Sequence, residues 1–136
     1  MIRISLAMVL LALSGGVYAV PETVTPEMAE EKGCLSCHEG IEDFTEGRMW
    51  DDVLEQGASH GDENGCVVCH GGNPLGTTLA EAHKGSPASL VKKGGPKLFL
   101  PDPGAVGVNE QSCGQCHSGY GDRLEKSLMN TEAGKL

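Results

Sequence analysis

The chemistry of this chain is concentrated in its six cysteines and five histidines. The cysteines form three copies of one pattern with none left over. These are Cys34-Leu35-Ser36-Cys37-His38, Cys66-Val67-Val68-Cys69-His70 and Cys113-Gly114-Gln115-Cys116-His117. C-x-x-C-H is the attachment signature of c-type haem. Two thiols at this spacing reach the two vinyl groups on one porphyrin edge, and the histidine that follows lies under the iron as proximal ligand. Other cysteine chemistries fit less well. Zinc sites need paired C-x-x-C elements, and three of them leave one unpaired. A thioredoxin-like pair occurs once, in a βαβ context that this chain lacks. Disulfides do not explain a histidine after every second cysteine. The motifs therefore predict three covalently bound c-type haems, with iron held by His38, His70 and His117.

The remaining histidines, His60 and His83, are candidate distal ligands, because an electron-transfer haem usually carries a ligand on each face of its iron. His60 lies only six residues before Cys66 and would need a tight wrap to reach the far face of the second haem. The reading therefore sets His60 with the first haem and His83 with the second. Six axial positions against five histidines leave the third haem one ligand short. Met129, twelve residues after His117, is a candidate for that place, and methionine there would raise the potential relative to bis-histidine ligation. Packing against Leu124 and Leu128 is its alternative role. Otherwise the position is open, or filled by another chain.

These groups must be positioned by a small scaffold. The length of 136 residues allows one domain, and 4% aromatic residues with 20 glycines leave little to fill a core. Domains of this size usually need disulfides, a metal or a partner for stability. Three flat apolar macrocycles would take the place of aromatic side chains, so the chain without them is expected to be largely unfolded. The net charge of -9 argues against nucleic acid as a partner. That charge is uneven: residues 22–63 carry thirteen acids against Lys32 and Arg48, whereas residues 64–136 carry six acids and seven bases. Lys84, Lys92, Lys93 and Lys97 form a basic cluster, suited to propionate pairing or partner docking, or simply a solvated face.

Residues 1–19 read as a signal peptide: Arg3, an apolar run from Ile4 to Leu13, then Val17-Tyr18-Ala19 as a small-residue cleavage pattern. Cleavage after Ala19 leaves residues 20–136 as the haem-bearing domain, exported to the periplasm, with an extracellular or membrane-anchored location as the alternative. The elements of that domain are short and mostly closed by glycine. Thr25 is an N-cap with Pro26 as first helical residue and Gly33 as the stop. Met49, Trp50, Val53 and Leu54 make an apolar stripe ending at Gly57. Thr78 and Glu81 form a capping box for a turn through His83, and Ser86-Pro87 opens a piece ending at Gly94-Gly95. Asp122 caps a last helix in which Leu124 and Leu128 share a face. No segment alternates as a strand does, and residues 94–108, with three prolines, read as a loop. The fold class predicted is mainly α with extensive irregular loops, organised around the haems.

With these motifs the sequence resembles the multihaem cytochromes c. Several phrases are similar to those of the octahaem cytochromes related to hydroxylamine oxidoreductase and tetrathionate reductase. They are Gly65-Cys66-Val67-Val68-Cys69-His70-Gly71-Gly72-Asn73-Pro74, Ala82-His83-Lys84-Gly85, and Cys113-Gly114-Gln115-Cys116-His117 followed by Ser127-Leu128-Met129. That resemblance implies further haems downstream, so the chain is either a short electron carrier or the N-terminal part of a longer cytochrome. It departs from small triheme periplasmic cytochromes, which are lysine-rich and have six haem-ligating histidines.

The function expected is electron transfer between redox partners through closely packed haems, without catalysis by the chain itself. Donor and acceptor proteins, a larger multihaem cytochrome or a membrane complex are the partners implied. Two alternatives remain. One is a haem enzyme, or a fragment of one, whose open third haem reduces or oxidises a small nitrogen or sulfur compound. The other is a subunit that docks on a larger cytochrome and completes its haem wire.

Overall fold

A computed structural model describes residues 23–41 and 46–130. The signal-peptide reading for residues 1–19 lies outside these. Half of the described residues are helical, and no strand occurs among them. The helices are α1 (Pro26–Lys32), α2 (Leu35–His38), α3 (Arg48–Ala58), α4 (Cys66–His70), α5 (Leu79–Ala82), α6 (Ala88–Lys92), α7 (Asn109–Ser112) and α8 (Tyr120–Glu125). Two 3-10 turns follow α7 and α8, at Cys113–Gln115 and Leu128–Asn130. The mainly α class with irregular connections is therefore observed.

Most of the caps expected from sequence are present. The Thr25 hydroxyl accepts from the Met28 N–H at 3.3 Å, Pro26 occupies the first turn, and Gly33 ends α1 with φ 53°. The Thr78 hydroxyl accepts from the Glu81 N–H at 3.2 Å, and the Glu81 carboxylate accepts from the N–H and hydroxyl of Thr77. The reciprocal bond thus lands one residue earlier than in an ordinary capping box. The last helix differs. Gly119, not Asp122, is its cap, because the Glu110 carboxylate reaches across from α7 and accepts from the Gly119 and Gly121 N–H groups at 2.7 and 2.8 Å. Leu128 falls in the separate 3-10 turn and is exposed, so it does not share a helical face with Leu124.

The core made by protein alone is very small. Val67, Val68 and Leu90 form its buried cluster, with Val53 of α3 packed against it, and Val24 and Ala29 are buried elsewhere. Of the α3 stripe, Met49 stays exposed. Helices α3 and α4 meet through glycine: a Cβ on Gly57 would stand 2.5 Å from the Asp62 carbonyl oxygen and from the Gly65 Cα. Such spacing leaves room for no side chain there. Buried Asp62 then caps α4, its carboxylate accepting from the Asn64 N–H at 3.2 Å and the Val67 N–H at 2.8 Å. This fixes the start of the second cysteine motif. Residues 94–108 form the connecting loop expected, held by an isolated bridge between Gly85 and Leu98.

Candidate functional site

The first C-x-x-C-H motif runs through α2 with Cys34 as its N-cap, the second fills α4, and the third begins in the 3-10 turn after α7 and ends just beyond it. These segments adjoin one another. The sulfur atoms of Cys34 and Cys66 and a carboxylate oxygen of Asp62 all lie within 4.8 Å of one another. A hydrogen bond with Cys66, then burial and the Asp62 charge, hold the Cys34 thiol far above its ordinary pKa. The second and third motifs are tied by Gln115, whose amide donates to the Val68 carbonyl at 2.6 Å and the Ser112 carbonyl at 2.9 Å. Burial raises the pKa of Cys69, and nearby Cys113 and Cys116 raise it further. Neutral thiols are the consequence at both sites.

The Cys34–Asp62–Cys66 group has the donor types of a metal site. Both Asp62 oxygens already accept backbone N–H groups, however, so its carboxylate is committed to capping α4. What the group does establish is that the leading cysteines of the first two motifs face a common place.

His83 follows α5, and its ring centre lies 6.1 Å from that of His38, with the planes tilted by 35°. Two imidazoles bonded to one metal from opposite sides have about this ring separation, given metal–nitrogen bonds of about 2 Å each. The sequence reading set His83 with the second motif, whereas the fold sets it beside the first. The second-motif histidine, His70, has its Nδ1 2.9 Å from the Leu100 carbonyl. A carbonyl only accepts, so Nδ1 carries the proton and Nε2 keeps its lone pair for a metal. Phe99 stands next to both rings, 4.2 Å from His83 and 6.3 Å from His70.

His60 is 7% exposed, its Nδ1 2.9 Å from the Ser89 hydroxyl. Among the described residues its Nε2 is the single buried side-chain polar atom without a hydrogen-bond partner. Buried polar nitrogens are rarely left this way, so an unpartnered Nε2 is what a metal-ligating imidazole looks like before its metal is added. Burial, and then the Lys93 charge, lower its pKa and favour the neutral form that ligates. His60 lines a cleft of about 590 Å³ together with Asn73, Pro74, Leu75, Glu81 and Lys84. The cleft is in the size range of cofactor sites.

The third motif is the open one. Cys113, Cys116 and His117 are exposed, and the Tyr120 ring stands edge-on to His117 at 6.0 Å. Met129 lies in the last 3-10 turn, and the position of its side chain is outside the described part of the structure. The lysines at 84, 92, 93 and 97 are exposed, and Lys93 donates to the Ser59 hydroxyl at 3.4 Å.

All nine motif residues thus have the types and spacing that three haems require, and two further histidines have geometry suited to ligation. Sequence reasoning missed Phe99, Ser89, Glu110 and Gln115. Phe99 had a faint signal, as one of two phenylalanines in a ring-poor chain. The other three act through pairings that no local pattern announces. No protein-family model matches the chain, and no curated protein or solved structure matches it either.

Proposed function

We propose that the chain is an exported multihaem cytochrome c that passes electrons between redox partners through three c-type haems. The residues holding them are Cys34, Cys37 and His38, Cys66, Cys69 and His70, and Cys113, Cys116 and His117. Bound haem supplies a one-electron centre whose potential follows axial ligand, burial and nearby charge. The observation that supports the reading is the 6.1 Å approach of His83 to His38, which brings a second imidazole beside a motif histidine. His70, with Nδ1–H held by Leu100, presents Nε2, and His60 offers a neutral, buried Nε2 as a further distal ligand. Close contacts between motifs one and two, and between two and three, suit a relay. Redox proteins at either end, a larger multihaem cytochrome or a membrane complex, are the partners, and the periplasm is the location.

The exposed third motif favours a second reading, a haem enzyme whose third iron meets a small nitrogen or sulfur compound directly. Electron paramagnetic resonance of the oxidised protein separates the two. Low-spin iron throughout supports the carrier, and one high-spin, cyanide-binding iron supports the enzyme. The primary test is mass spectrometry of protein matured in a host that attaches haem c. Three haems on a chain beginning at Val20 are expected, and a chain with none or two overturns the reading.

A further inference from the structure

We propose that Phe99 is a positioning residue shared by His83 and His70, and that the segment Leu98–Leu100 binds the first two haem centres into one mechanical and electronic unit. The inference rests on the reading of these histidines as iron ligands. It goes beyond that reading by naming what orients them together.

Both rings are nearly parallel to Phe99, at 20° for His83 and 23° for His70. The backbone around Phe99 is bonded on two sides. Towards His83, the Phe99 N–H donates to the Lys84 carbonyl at 3.2 Å and the Ser86 N–H to the Lys97 carbonyl at 3.1 Å. Towards the second motif, the Leu100 N–H donates to the His70 carbonyl at 2.7 Å, while the Leu100 carbonyl accepts from His70 Nδ1. The glycines after His70 permit this closeness. A Cβ on Gly71, where φ is 66°, would stand 2.5 Å from the Leu98 carbonyl oxygen, and one on Gly72 would stand 3.3 Å from the Phe99 ring.

A ring stacked at 4.2 Å limits rotation of the His83 imidazole, while the Leu100 carbonyl fixes the His70 tautomer. Both constraints come from one three-residue segment, so movement at either ligand is felt at the other. The rings of His38, His83, Phe99 and His70 also follow one another from the first motif to the second, with centres 6.1, 4.2 and 6.3 Å apart.

The test uses the full haem-loaded protein. In Phe99→Leu, the low-spin resonance signals of the first two centres shift while the signal of the third centre keeps its position; Phe99→Tyr, which keeps the ring, leaves all of them near wild type. A second measurement needs no variant. With phenylalanine labelled by carbon-13, the Phe99 ring signals in wild type move at two stages of a stepwise oxidation. Unchanged spectra in a three-haem Phe99→Leu protein, or a Phe99 ring that responds at one stage or none, overturn the inference. A wild-type chain that carries no haem refutes the underlying reading instead, and the two failures are told apart by mass.

Discussion

The ring of His83, just beyond α5, stands 6.1 Å from that of His38 at the end of α2, although the two residues are far apart in the chain. One imidazole ends the first cysteine motif, and the other comes from a short capped turn. On the proposed haem reading, this approach assigns His83 as the distal ligand of the first centre. In His83→Ala, one of three irons is expected to change from low-spin to high-spin and to bind cyanide. Retention of every wild-type low-spin signal in the oxidised variant would exclude this assignment.

His60 gives a graded prediction. His60→Ala removes the proposed ligand and is expected to convert one further iron. Ser89→Ala removes only the 2.9 Å hydrogen bond that orients the ring, worth about 1 kcal/mol. For a one-electron couple that limits the potential shift to about 40 mV. Potentiometric titration of both variants checks the order: a large change at His60→Ala and a small one at Ser89→Ala. Equal effects would place His60 outside the coordination shell.

Glu110 should matter for stability rather than for iron ligation. Its carboxylate satisfies the N–H groups of Gly119 and Gly121 just beyond the third motif. Glu110→Ala leaves two part-buried donors unpaired, and a cost of about 1–3 kcal/mol is expected. Glu110→Gln keeps one acceptor and should lose less. Amide hydrogen exchange reads this directly, because protection at Gly119 and Gly121 should fall in the alanine variant and persist elsewhere.

Gly57→Ala tests the contact between α3 and α4. The added Cβ meets the Asp62 carbonyl and the Gly65 Cα at 2.5 Å, so backbone must move, at a cost of about 1–3 kcal/mol. Gly104→Ala is the control, because its Cβ meets nothing nearer than the Asp102 carboxylate at 3.6 Å, and its effect should stay within about 0.5 kcal/mol. Thermal melts of the two loaded variants measure the difference; equal midpoints would show that the helices can separate without loss.

Much of the local structure was legible because its causes are local. Thr25, Pro26 and Gly33 frame α1 through their own backbone preferences, and Thr78 with Glu81 starts α5 in the same way. The last helix was misread at its start because Asp122 resembles a capping residue, whereas the acceptor comes from Glu110 on a different helix. The neighbour of His83 was out of reach for a related reason. The sequence reading set His83 with the second motif, whereas its ring lies 6.1 Å from His38 of the first, a contact between distant segments that no local pattern encodes.

By itself the sequence determined which atoms are available for chemistry: six thiols in three pairs, each pair followed by an imidazole. It determined this because two cysteines and a histidine within one helical turn are brought together by covalent spacing alone. Tertiary structure decided how those units face one another. The stacking of Phe99 on His83, the capture of His70 by Leu100 and the burial of His60 against Ser89 all join segments distant in sequence. Such contacts follow from packing and hydrogen bonding of the whole chain, which no spacing within a motif encodes.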